Sequence, residues 1–164
     1  MGTYRRINTP LITIRAMVRV GAWTVEEVIH GEWRKCDRCR TDHKEVWVCT
    51  VDADEVDIIA KLGGKRMWRV GSKCGPTLEM VSAASWAPQT KDLQRVVRLA
   101  VDATRVLEKA KAFGIDHLFL PWVVERLEFL KSGQLSRHLQ GVLRSHVNAV
   151  ADSVERATAK TLQQ

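Results

Sequence analysis

The residues of this chain best suited to chemistry are its four cysteines, Cys36, Cys39, Cys49 and Cys74. Cys36-Asp37-Arg38-Cys39 is a C-x-x-C pair. Two intervening residues let both thiolates turn onto one tetrahedral ion from a tight loop. Cys74 sits in Val70-Gly71-Ser72-Lys73-Cys74-Gly75, where a glycine on either side lets that backbone turn tightly as well. Three ligands from two loops are therefore expected. An even number of cysteines without a secretion signal points to metal and away from structural disulfides, and soft thiolates suit zinc. The fourth ligand is open. Cys49 is the best thiolate candidate, because no cysteine would then be left over, yet on a strand it also reads as a small buried apolar side chain. His43, four residues past Cys39 in polar sequence, is the alternative, and His30 or water a third.

A site of this kind is expected to be structural. Catalytic zinc keeps an open position and works with a nearby base. Glu32 and Glu45 flank the cysteines but stand in no H-x-E or H-E-x-x-H spacing. The chain also lacks a P-loop, G-x-G-x-x-G and G-x-S-x-G, and His117 and His138 read as structural or exposed. A non-enzymatic protein is expected, with a metal-dependent nuclease as the least favoured reading. Four free buried thiols, a redox pair or an iron–sulfur cluster would also account for the cysteines. The redox motif normally opens a helix after a strand, whereas Asp37-Arg38 lies in polar loop sequence.

The order C-x-x-C, a β-rich segment with a glycine turn, then V-G-S-x-C resembles a small zinc-binding module of uncharacterised phage and bacterial proteins, of the zinc-ribbon and treble-clef group. The resemblance rests on Cys36, Cys39, Gly71 and Cys74 and covers about Cys36 to Met80. It implies a structural zinc ion and a small β fold. A ribbon's second knuckle would carry a cysteine where Thr77 stands.

Lys plus Arg exceed Asp plus Glu by 26 to 19, a formal charge of +7. That balance favours a polyanionic partner. From Ile58 to Leu78 there is no acid, while Lys61, Lys65, Arg66, Arg69 and Lys73 are basic. Trp68 lies among them, and a basic strand with an exposed Trp can hold phosphates and stack a base. Lys65, Arg66, Trp68, Arg69 and Lys73 are therefore the candidate nucleic-acid contacts, for DNA or RNA. The plainer reading is a solvated basic face, with Trp23, Trp33, Trp47, Trp68 and Trp86 filling the core of a small module poor in aliphatic residues.

These residues need elements to position them. Leu11–Ile14 reads as a strand that Ala16–Val20 could extend, and Trp23–Ile29 is a short segment of either type. Val46–Val51 and Arg66–Val70 are β-rich. Val56–Lys61 could be a strand or one helical turn, Gly63-Gly64 is a turn, and Pro76 sits where a helix could begin. Leu93, Val96, Val97, Ala100, Val101, Thr104 and Leu107 recur at helical spacing up to a stop at Gly114. Pro121 opens a second helix to about Lys131, and Leu135 to Val154 marks a long third one. The expected fold is α+β: a basic strand segment at 1–35, a zinc-ribbon-like β module at 36–86, and a region of about three helices at 87–164.

No run of about 18 apolar residues exists, which excludes a membrane-spanning helix. The first twenty residues lack the apolar core of a secretion signal, so a cytoplasmic protein is expected, in a host cytoplasm if phage-encoded. The first functional expectation is a nucleic-acid-binding accessory or regulatory protein. The second is a protein–protein adaptor or inhibitor that uses its helices. Self-association through those helices is a further expectation.

Overall fold

The computed structural model describes residues 11–75 and 83–163. The helix start expected at Pro76 and the ribbon position at Thr77 lie outside these residues. The described chain is α+β, an antiparallel sheet followed by helices. The sheet is a four-stranded meander: β1 (Ile12–Val20), β2 (Trp23–Lys35), β3 (Asp42–Val51) and β4 (Met67–Gly71), in the order β1-β2-β3-β4. Strands β1 and β2 meet at a two-residue turn, Gly21-Ala22, that closes on the pair Val20–Trp23. Gly21 has φ 62°, which glycine adopts without a side-chain clash. The segment around Trp23, ambiguous in sequence, is the start of the longest strand, and β1 and β2 belong to the same sheet as β3 and β4. The end of the expected 1–35 segment is thus the last residue of a strand inside one sheet.

One face of the sheet is apolar. Ile12, Ile14 and Val20 of β1, Trp23, Val25 and Val28 of β2, Trp47, Cys49 and Val51 of β3, and Val70 of β4 are buried. The alternation changes phase on β2 because the register shifts between Val25 and Glu27, so Val25 and Val28 share a face three residues apart. Burial of this set is the sheet's main stabilisation, at about 25 cal/mol per Å² of apolar surface removed from water. On the opposite face Ile29, Val46 and Val48 form a smaller buried cluster.

Between β3 and β4 lies a short helix, α1 (Val56–Lys61). Its last turn runs into Gly63 and Gly64, at φ 69° and 85°, which reverse the chain into β4. The long α2 (Ala83–Ala112) follows, then α3 (Leu120–Lys131) and α4 (Arg137–Gln163). Pro121 stands in the first turn of α3, where its missing N–H costs nothing. Two helix stops use glycine in the left-handed region: Gly114 after α2 (φ 61°, with Ile115 N–H to Ala110 O at 2.8 Å) and Gly133 after α3 (φ 77°, with Gln134 N–H to Phe129 O at 2.9 Å).

The chain divides into two compact units, 1–95 and 96–164, with the division inside α2. The first turns of α2 belong to the sheet unit. Trp86 packs on Trp47 with ring centroids 5.6 Å apart, and the Gly21 N–H donates to Gln89 Oε1 at 3.3 Å. In the helical unit Val97, Ala100, Val123, Leu127, Leu130, Leu143, Val147 and Val150 are buried, and Arg144 of α4 pairs with Asp102 of α2 at 2.9 Å. Among the described residues no helix is long and apolar enough to cross a membrane.

Candidate metal centre

The register of the β2–β3 hairpin builds the first half of the site. Lys35 pairs with Asp42, which leaves Cys36 to Thr41 as the hairpin's tip. Within the tip the Cys36 N–H donates to Thr41 O and the Arg40 N–H to Cys36 O, both at 2.9 Å. Arg40 takes φ 64°, a left-handed conformation in a residue with a side chain. The second half is the exit of β4, a turn over Ser72–Cys74 closed by the Cys74 N–H on Gly71 O at 2.9 Å.

Asp37 docks the two halves together. Its N–H donates to Arg69 O at 2.7 Å, the Arg69 N–H donates to its Oδ2 at 2.8 Å, and the Lys65 ammonium lies 3.1 Å from the same oxygen. Burial alone would push the Asp37 carboxyl up. The Arg69 amide and the Lys65 and Arg69 charges outweigh it and hold the group below its ordinary value.

The docking brings Cys36, Cys39, His43 and Cys74 together, with the four donor atoms all within 4.8 Å of one another. Tetrahedral zinc with bonds of about 2.3 Å to sulfur and 2.0–2.1 Å to nitrogen places its donors roughly 3.5–3.8 Å apart. These donors need only small shifts to close on one ion.

The four groups differ. The Cys36 sulfur is buried and faces the amides of Arg38 (3.4 Å), Cys39 (3.5 Å) and Gly71 (3.4 Å), an arrangement suited to a thiolate. Cys39 is exposed, with its sulfur 3.0 Å from Thr41 Oγ1 and 3.0 Å from His43 Nε2. Those contacts lower its thiol to about 6, so it is largely thiolate at neutral pH. The Cys74 thiol is pushed up to about 12 by burial and by the neighbouring Cys36 and Cys39 sulfurs. A cation would reverse that effect by neutralising the cluster. The His43 ring lies against Gly71, where an added Cβ would stand 2.7 Å from Nδ1, so only glycine leaves room for the ring.

The position of Cys49 corrects the sequence-based preference for it as fourth ligand. Cys49 is six residues along β3 from His43, about 20 Å of strand. It is buried opposite Val25 and Trp68, and burial, with Glu26 nearby, pushes its thiol up to about 12. His43, at the start of β3, reaches the cluster because the hairpin tip holds it there. His30 is engaged elsewhere, 3.2 Å from Glu45, which also accepts from Trp47 Nε1 at 3.0 Å. Glu32 pairs with Arg34 at 2.7 Å.

The five candidate contact residues divide. Strand β4 is an edge strand. Lys65, Trp68 and Arg69 gather beside the knuckle: the Lys65 ammonium is 4.8 Å from the Trp68 ring centre, and Trp68 Nε1 donates to Lys65 O at 2.9 Å. The indole is thus half-buried with a lysine on its ring. Arg66 is exposed and donates from Nε to Val51 O at 3.2 Å. Arg69 and Lys73 are exposed.

Sequence reasoning passed over Asp37 as the docking residue and Arg40 as the left-handed one. A tip of six residues carrying C-x-x-C must reverse the chain just after its second cysteine, and that requirement was the available signal for Arg40. Nothing in the sequence marks the pairing of Asp37 with Arg69, which depends on β4 lying beside β3. In comparisons with known proteins, no family model, no curated protein and no solved structure matches this chain.

Proposed function

We propose that this is a zinc-stapled nucleic-acid-binding protein, with an accessory or regulatory and non-enzymatic role. The observation that carries the reading is the convergence of three cysteines and one histidine from the hairpin tip, the start of β3 and the exit of β4. In that set Cys36, Cys39, His43 and Cys74 would hold the ion. The donors are those of structural zinc, and four protein ligands fill its tetrahedron. The ion's contribution is to hold two loops together in a region with modest core of its own. The side chains so fixed are basic: Lys65, Arg69 and Lys73 stand exposed around the knuckle. The net charge of +7 favours a polyanion. Trp68 contributes to the arrangement as the platform under Lys65, and stacking a base on it would require Lys65 to move onto a phosphate.

The test is electrophoretic binding of the zinc-loaded protein to DNA and RNA over a salt series. Affinity should fall steeply with salt, and the double variant Arg69→Ala/Lys73→Ala should weaken binding across all sequences and lower the salt slope by about 2. Absence of binding at low salt contradicts the nucleic-acid reading.

A second reading has its own support. The helical unit exposes Leu118, Trp122, Val124 and Phe129, large apolar side chains of the kind found at protein interfaces. Salt-insensitive capture of one protein, or self-association through these helices, would move the role to an adaptor with zinc purely structural.

A further inference from the structure

The four ligands are not equally protected from solvent. Cys36 is enclosed and its sulfur faces three backbone amides. Cys49 is buried in the sheet, away from the cluster. Cys39 is exposed, and Cys74 is partly so. The sulfurs of Cys39 and Cys74 lie within 4.8 Å of each other, on the two loops that the ion would join.

We propose that Cys39 is an oxidative modification site, and that a peroxide converts the metal staple into a Cys39–Cys74 disulfide between the same two loops. The inference rests on the metal reading above. The chemistry balances with hydrogen peroxide as the named oxidant. The Cys39 thiolate attacks one peroxide oxygen, the O–O bond breaks, and the departing hydroxide takes a proton to become water. The Cys74 sulfur then attacks the Cys39 sulfur, the S–O bond breaks, and the second oxygen leaves as water with protons from solvent. Two thiolates lose two electrons, and the peroxide gains them. Two of the four donors are then spent, and a site with only Cys36 and His43 cannot retain zinc tightly.

The choice of partner follows from enclosure. The Cys36 sulfur is equally within 4.8 Å of Cys39 but is buried against three backbone amides, while the partly exposed Cys74 sits on the three-residue turn between Gly71 and Gly75. A disulfide bond is about 2.05 Å long, so these two sulfurs must close by less than about 3 Å. The hairpin tip stays tied to β4 after oxidation, while the zinc is lost.

The experiment is a hydrogen peroxide titration of the full, zinc-loaded chain. Zinc is counted before the titration, its release is followed with a chromophoric chelator, and the disulfides are mapped by peptide mass spectrometry. One ion should be released for each Cys39–Cys74 disulfide formed. Cys36 and Cys49 should remain free to alkylation after denaturation, and dithiothreitol with added zinc should restore the starting state. Zinc present at the start but retained through excess peroxide overturns this inference and leaves the metal reading standing. A Cys36–Cys39 disulfide in place of the expected one overturns the assignment of Cys74. A chain that holds no zinc before peroxide is added overturns both.

Discussion

The sharpest contrast at the scale of single residues is between two cysteines on the same hairpin. Cys36 lies in the cluster that could hold a metal ion, and Cys49 packs in the sheet. Cys36→Ser should abolish tight zinc binding. Cys49→Ser should leave the zinc stoichiometry unchanged and cost about 1–3 kcal/mol, because it buries a hydroxyl without an assured partner. Metal analysis and urea denaturation of the two variants separate these outcomes. Gly71→Ala tests the seat of His43. A methyl group 2.7 Å from the ring must displace it, so zinc affinity should fall about 10–100-fold, the range found when a ligand's supporting contact is lost. Unchanged affinity would mean that His43 does not ligate. Zinc binding should also weaken as pH falls, since protons compete for the thiolates, and binding at neutral pH should release the Cys74 proton. Glu45 sets a separate acid limb. Burial pushes its carboxyl up, but His30 and the Trp47 N–H outweigh that and hold it below the ordinary value. Its contribution is therefore complete above about pH 4.3 and lost as pH falls through the lower folded value. Glu45→Gln should flatten the stability profile in that window, as read by urea midpoints across pH.

Among the elements, the metal loops and the strands that carry them were unequally legible. The C-x-x-C spacing and the glycines around Cys74 marked both loops, because ligand geometry is local. The helices were readable too, since their apolar period is uninterrupted and Gly114, Pro121 and Gly133 punctuate them. Strand β2 was not, because its two register shifts break the alternation that identifies a strand. The fourth ligand was obscured for a related reason. His43 and Cys49 have the same parity on β3, so the pattern alone could not say which end of the strand meets the knuckle. The tip offers its own test at Arg40. A left-handed conformation costs a non-glycine residue about 1–2 kcal/mol. Arg40→Gly removes that strain and returns about 0.4–1 kcal/mol of it through the freer unfolded chain. A small net stabilisation, about 0.5 kcal/mol, is expected in the zinc-loaded protein by thermal denaturation.

Across the whole molecule, the Cys36, Cys39, His43 and Cys74 cluster lies in the sheet unit, whereas α3, α4 and the second part of α2 make up the other compact unit. A chelator should therefore lower the unfolding transition of the sheet unit while most of the helical circular dichroism persists to higher temperature. Loss of both signals together at the same lowered temperature would show that zinc also supports the helical unit. The net charge of +7 acts at this scale as well: it would steer the proposed polyanion over about 10 Å at 0.1 M salt, and the metal loops would fix where contact is made.

The nucleic-acid reading and the peroxide switch both depend first on Cys36, Cys39, His43 and Cys74 closing on one zinc ion. X-ray absorption at the zinc edge of the purified, zinc-loaded protein tests that most directly. The expected result is one zinc per chain with three sulfurs at about 2.3 Å and one nitrogen at about 2.0–2.1 Å. A shell of four sulfurs would return Cys49 to the site and contradict the hairpin geometry. Failure of the chain to hold zinc at all would remove the staple and, with it, the reading built on it.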